Sequence, residues 1–260
     1  SLQESHQEKA ATNYGLAIIL VIKSRYMTIN KKIFLLLLGL SLASIACVFP
    51  YIATVQAEIL TKAGQPLSII FLDQLIQSLI LFSFCISVGL AAARKTGFHL
   101  PLFTAWLEKG NWRQIIKDNW TVSLLSGLAV AIAIYAVDEL FTIQGVQIST
   151  HATYAPAWQT LLAAAYGGIT EEIIMRLFLM SSLIWLGMRI MRQPAPAASL
   201  VILAILVSAI IFGLGHLPIT ASITALSTAV IVRAVVLNGI GGIVFGWLYW
   251  RKGLEAAIIS

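Results

Sequence analysis

The residues with the greatest chemical capacity sit where so apolar a chain should carry no charge. Thr170-Glu171-Glu172-Ile173-Ile174-Met175-Arg176 places two carboxylates and a guanidinium inside the apolar run 157–188. An ionisable side chain inside a bilayer costs at least about 2.5–3.5 kcal/mol on insertion scales, so each one asks for a reason. On a helix Glu172 and Arg176 are four residues apart and share a face, where they neutralise each other as an ion pair. Glu171 is rotated about 100° away and has no intrahelical partner. One carboxylate thus reads as structural and its neighbour as free for chemistry. Upstream, Gly167-Gly168 predicts a break or thinning of the helix, with Thr170 capping a restart. Glu171 would then stand at a helix N-terminus, where the dipole favours an anion.

A second group follows in the next apolar run, Phe212-Gly213-Leu214-Gly215-His216. His216 is the one histidine of the four that lies within a long apolar segment; His6, His99 and His151 do not. Phe212 lies one turn below His216 and walls its ring. The two glycines let another helix or a substrate backbone approach closely, and Pro218 restricts the chain just beyond. A glutamate and a histidine converging on one water make a general base and a polarising donor, which suffices for peptide hydrolysis. The same charges also read as a packing triad, or as the lining of a transport path.

The elements that must position these groups are membrane helices. The 260 residues are 59% hydrophobic and 11% charged, against about 25% charged in a soluble domain. That excludes a soluble enzyme, a disordered chain and a disulfide scaffold; the two cysteines, Cys47 and Cys85, both fall in apolar segments. Apolar stretches at roughly 33–53, 67–93, 121–141, 157–188, 198–217, 221–237 and 239–250 approach the length of a span, and 254–260 opens another. Strict barrel alternation is missing, so the prediction is an all-α polytopic transmembrane bundle of about seven to eight helices.

Three regions are expected: an N-terminal extension at 1–26, either non-native or disordered; membrane helices with an interfacial amphipathic segment over 27–156; and a catalytic helical core over 157–260. A rival reading makes 27–57 a cleaved signal peptide ending Val55-Gln56-Ala57. The net charge of +6 comes from basic clusters between spans: Lys23, Arg25, Lys31 and Lys32; Arg94, Lys95, Lys109, Arg113 and Lys117; Arg189 and Arg192; Arg251 and Lys252. The segment 138–156 has Asp138 and Glu139 but no Lys or Arg. This alternation predicts a cytoplasmic N-terminus, and a bacterial plasma membrane is the expected setting. Leu102–Leu107 and Trp112–Trp120 read as an interfacial stretch anchored by Trp106, Trp112 and Trp120. Asp73, Gln74 and Gln77 are expected to face the bundle or its rim, and Arg233 to snorkel or pair with an acid across it.

EExxxR followed by FxxxH in a polytopic chain resembles the CPBP family, the CAAX-processing and bacteriocin-immunity proteases also called Abi or Rce1-like glutamic intramembrane endopeptidases. The likeness covers roughly Ala157 to Ser260. It continues through Asn238-Gly239-Ile240-Gly241-Gly242, Gly246 and Tyr249 to Gly253-Leu254-Glu255-Ala256-Ala257-Ile258-Ile259-Ser260. The resemblance implies that Glu171 activates water for attack on the scissile carbonyl, that His216 assists, and that Glu172 and Arg176 hold the site together. Phe212 supports His216. Asn238, before its glycine cluster, reads as a helix-end cap that the resemblance also makes a supporting candidate. The family's third motif, a further His followed four residues on by Asn or Asp, supports the oxyanion. This sequence stops about where that histidine would begin. Loss of one oxyanion donor lowers rates by about 100–1,000-fold.

The implied substrate is a membrane-anchored peptide or protein met in the lipid bilayer, with no cofactor and no nucleic acid. Three alternatives remain. One is a catalytically weak or inactive member that binds and regulates a membrane partner, as in bacteriocin immunity or sensor regulation. Another is a small transporter relaying protons or substrate through Glu171, Glu172 and Arg176, against which stands the lack of an inverted repeat. The last is a zinc site on Glu171 and His216, for which HExxH and a third ligand are missing. There is also a geometric tension. His216 lies about 27 Å from position 198 and Glu171 about 21 Å from position 157 at 1.5 Å per residue. They meet only if the part before Gly168 is interfacial or the helices tilt strongly.

Overall fold

A computed structural model describes residues 2–62, 64–146 and 155–260, with side chains from Thr28 onward except Glu58. His151 therefore lies outside the described residues, as does the His6 side chain. Every element among them is helical. Six helices are long and apolar enough to cross a membrane: Thr28–Val55, Leu67–Thr96, Trp112–Ile143, Ala157–Ile190, Ala198–Ala221 and Thr228–Lys252. The chain is an integral membrane protein of the all-helical bundle class.

The elements in order are α1 (Leu2–Val55), α2 (Ala57–Lys62), α3 (Leu67–Thr96), α4 (Pro101–Leu107) and α5 (Trp112–Ile143). The second part runs α6 (Ala157–Tyr166), two π-helical stretches (Gly167–Glu171 and Ile173–Met180), α7 (Ser181–Ile190), α8 (Ala198–Gly215), α9 (Leu217–Ala221), α10 (Thr228–Lys252) and α11 (Leu254–Ile259). The expected segments 221–237 and 239–250 are one helix, because Asn238 and Gly239 sit inside α10 rather than ending it. This is why six spans are found where seven to eight were anticipated. The expected interfacial stretch also divides. Leu102–Leu107 belongs to the short α4, whereas Trp112–Trp120 forms the first turns of the long α5. Trp106 and Trp120 are both about half exposed, as headgroup anchors require.

The central strut is the continuous run from α6 through α7. Ile173, Leu177, Met180 and Ile184 are fully enclosed along it, and Leu37 of α1, Ile86 of α3, Val201 of α8 and Leu248 of α10 close round. Apolar side chains on the outside, such as Leu125, Leu128 and Ile132 of α5, are 58–60% exposed and meet lipid. Helices α8 and α10 approach closely because Gly213 faces Val235. A Cβ on Gly213 would sit 2.6 Å from Val235 Cα. Small residues at such crossings let backbones meet where no hydrophobic effect drives helices together.

Two polar ties fix the ends. Arg233 of α10 donates to Asp138 of α5 at 2.6 Å, so it pairs across the bundle rather than snorkelling. At the opposite end, Pro101 opens α4 and Leu100 offers no side-chain cap. The cap comes from elsewhere: Phe103 N donates to Glu255 Oε1 at 2.8 Å, from α11, across 152 residues of sequence. The turn into α11 needs Gly253, whose φ is +98° and whose Cβ would lie 2.4 Å from Pro101 Cδ.

Candidate active site

The helix carrying Glu171 does not break at Gly167-Gly168. It widens. Gly167–Glu171 and Ile173–Met180 wind as π-helix with right-handed backbone throughout, and Ser181 N bonds back to Arg176 O, five residues earlier. Thr170 Oγ1 donates to Tyr166 O within the same helix, so it caps no restart, and Glu171 stands mid-helix rather than at an N-terminus. The glycines serve another end. Gly167 flanks the Glu171 carboxylate, whose Oε2 lies 3.4 Å from where a Cβ would be. Wide turns of this kind recur at functional sites, where they re-aim side chains without ending a helix.

The two adjacent glutamates face different environments. Glu172 Oε1 meets Arg176 Nη1 at 2.9 Å, with side-chain exposures of 4% and 1%. The guanidinium is held on other sides too: Arg176 Nη2 donates to Gly241 O at 3.3 Å. Its carbon lies 5.4 Å from the Phe212 ring centre and 5.5 Å from that of Phe245. The cation thus lies between two aromatic faces, with a carboxylate and a carbonyl at its edge, in a dry site. It locks the central strut to α8 and α10.

Glu171 points the other way, into a cavity. Its Oε1 lies 3.9 Å from His216 Nε2, and the two side chains keep 29% and 30% of their surface open. His216 ends α8 and is itself oriented. Its Nδ1 is 2.8 Å from Phe212 O. A carbonyl only accepts, so Nδ1 carries hydrogen and Nε2 faces the carboxylate. Phe212 stacks edge-on to the imidazole, 4.8 Å between centres at 89°. Phe212 thus touches both Arg176 and His216 and ties the sealed pair to the open one. The cavity holds about 860 Å³ and is walled by Tyr51, Ile52 and Val55 of α1, Tyr166 and Gly167, Gly215 of α8, and Ile219 of α9.

The structure brings Glu171, His216, Glu172, Arg176 and Phe212 together. Asn238 is not among them. It lies in the middle of α10 and its amide donates back to Ala234 O at 2.9 Å, so it neither caps a helix end nor lines the cavity. Gly213 packs against α10 as expected, but Gly215 meets no neighbour within 4 Å and opens onto the cavity instead. His99 sits outside the site, its ring against Gly97 O at 3.3 Å. Asp73 and Gln77 bond each other at 2.7 Å on the exposed side of α3, and Gln74 bonds Ser78 at 3.3 Å. Among the described residues no three His, Cys, Asp or Glu side chains converge as a metal-ligand set. The cavity wall supplied by α1 was not visible in the sequence. Tyr51 on an apolar helix carries no signal beyond that of an interfacial aromatic.

The depth tension resolves from the far end of the helices. The rise from Ala198 forward to His216 is about 27 Å at 1.5 Å per residue, and Glu171, reached from Ile190 through the wide turns, lies 3.9 Å from it. The two residues therefore meet level with one another. It is α6, ahead of the wide turns, that extends past the end of α8.

Bundle and site together define a class: a polytopic helical membrane protein with a carboxylate–imidazole pair at the base of a cavity reaching into the bilayer. Residues 153–260 match the model of the family described as type II CAAX prenyl endopeptidase, Rce1-like. Over these residues the chain is similar to the domain of a membrane protease family. No curated protein and no solved structure matches the chain.

Proposed function

We propose that the protein is a glutamic intramembrane endopeptidase that hydrolyses a peptide bond of a membrane-anchored substrate. The observation carrying this reading is the 3.9 Å separation of Glu171 Oε1 and His216 Nε2 in an open cavity. It is too long for a direct hydrogen bond and leaves one water within bonding reach of both atoms. Glu171 takes a proton from that water as its oxygen attacks the scissile carbonyl carbon. His216, with Nδ1–H committed to Phe212 O, presents Nε2 to the same water, accepts its second hydrogen bond and so orients its lone pair toward the carbonyl carbon. Glu171 then returns its proton to the departing amine nitrogen as the C–N bond breaks. Glu172 and Arg176 take no part in proton transfer; they hold α8, and through Phe212 the imidazole, against the Glu171 helix.

Cleavage of a membrane-anchored peptide by the purified chain in liposomes tests this. Glu171→Gln is expected to lower the rate by about 100–10,000-fold, the range for a lost general base. Unchanged cleavage by Glu171→Gln contradicts the assignment. If the folded wild-type chain cleaves no member of a broad peptide library, a partner-binding regulator becomes the better reading.

A further inference from the structure

We infer that the cavity opens on the non-cytoplasmic face of the membrane, so that its substrates are exported, membrane-anchored polypeptides with apolar residues around the cut. Two independent features converge on this.

The first is where the basic residues fall. The clusters that end α3, open α5, follow α7 and end α10 all lie at one end of the bundle, together with Lys31 and Lys32 near the start of the first span. The other end carries Lys62, and Arg233, whose charge is held by Asp138 at 2.6 Å. From Asp138 in the last turns of α5 through residue 156 the sequence contains no Lys or Arg. An excess of Lys and Arg in short loops marks the cytoplasmic side.

The second feature is where the cavity lies. Besides the Glu171 and His216 segments, it is lined by the C-terminal end of α1, the short α2, α9 and the following residues Ser222 and Ile223. All of these belong to the end poor in Lys and Arg. His216, with Glu171 beside it, stands about 27 Å from the basic end, most of the way across a hydrocarbon core of about 30 Å. A peptide in the cytoplasm would have to cross that distance through the packed centre of the bundle, where Ile173, Leu177 and Met180 are fully enclosed. A chain already translocated meets the cavity directly. The wall is largely apolar, with Ile52, Val55, Ile219 and Ile223 around Tyr51 and Tyr166. It suits an extended apolar segment emerging from the outer leaflet and offers no cluster of charges to recognise a polar one.

The substrate part of this inference rests on the proposed peptidase; the sidedness does not. Two exposed loop alanines report on the ends separately: Ala225, between α9 and α10, and Ala195, between α7 and α8. Each is replaced by cysteine in a background where Cys47 and Cys85 are alanine. A membrane-impermeant maleimide is applied to intact cells and then to permeabilised ones. Ala225→Cys is expected to label in intact cells and Ala195→Cys only after permeabilisation. The reverse pattern overturns the inference, whatever the protease activity proves to be. In the same cells, two single-span reporters carry one apolar cleavable segment on either the exported or the cytoplasmic side. Cutting of the exported reporter alone, abolished by Glu171→Gln, supports the substrate assignment, and cutting of the cytoplasmic reporter alone overturns it. Expected labelling with neither reporter cut upholds the sidedness and overturns the substrate class along with the peptidase reading.

Discussion

Glu171 and Glu172 are consecutive residues on one helix, and the structure gives them opposite surroundings. Glu172 is sealed at 4% exposure against a guanidinium 2.9 Å away. Glu171 stands at 29% exposure, 3.9 Å from an imidazole, with a cavity in front of it. Chemically identical side chains one residue apart diverge because the helix turns one toward α10 and the other toward the space between α1 and α9. A buried carboxylate held against a guanidinium and closed to solvent has no room for a substrate. One left slightly apart from its partner, with room for water, is available to react.

That contrast can be broken by exchanging which pair is damaged. The largest effect is expected at the sealed pair, where Glu172→Gln leaves the buried Arg176 without its counter-charge and costs about 3–5 kcal/mol of stability. Thermal unfolding in detergent reads this, and the double variant Glu172→Gln/Arg176→Met should recover much of the loss. If the double variant is as unstable as the sum of the single ones, the pair is not acting as a unit. At the open pair, His216→Ala should slow cleavage by about 100-fold or more, as for a lost group that positions the attacking water, while leaving the melting temperature nearly unchanged. A matching fall in stability would mean that His216 is a packing residue.

A third carboxylate sharpens the comparison. Glu255 lies in α11, beyond the last span, and burial pushes its carboxyl up to about 7 against the backbone hydrogen bonds from α4 that pull it down. The folded chain therefore keeps this proton through a range in which the unfolded chain, with an ordinary value of 4.5, has lost it. Its contribution is full below about pH 4.5, declines as pH rises toward 7 and is level above that. The decline amounts to at most about 3 kcal/mol, and melting curves across that range should flatten in Glu255→Gln. Gly213→Ala, which drives a Cβ to 2.6 Å from Val235 Cα, should cost about 1–3 kcal/mol through separation of α8 and α10. The smallest effect belongs to Asp138→Asn. The Asp138 side chain is 36% exposed, so loss of its pair with Arg233 should change stability by no more than about 1 kcal/mol.

How much of this was legible in the sequence varied with the kind of signal. Charges in apolar runs are expensive enough to announce themselves, and cost and spacing alone single out Glu171, Glu172, Arg176 and His216. The four-residue spacing of Glu172 and Arg176 survives in the structure even though the helix there is not α. Its wide turns were not legible. Gly167-Gly168 is equally compatible with a break, a kink or a smooth widening, and only the tertiary fit chose among them. Asn238 misled because a polar residue before glycines resembles a helix end, whereas α8 packed alongside keeps α10 continuous through it. The cap on α4 by Glu255 spans 152 residues, and no local pattern points across such a distance. The α1 wall of the cavity was hidden for the same reason.

The central claim is that neighbouring glutamates divide chemistry from architecture. It is tested most directly by measuring peptide cleavage and thermal unfolding side by side in Glu171→Gln and Glu172→Gln. The account predicts that Glu171→Gln loses cleavage by at least about 100-fold and melts like the wild type, while Glu172→Gln melts markedly earlier. Cleavage retained in Glu171→Gln, or equal destabilisation by both variants, would contradict it.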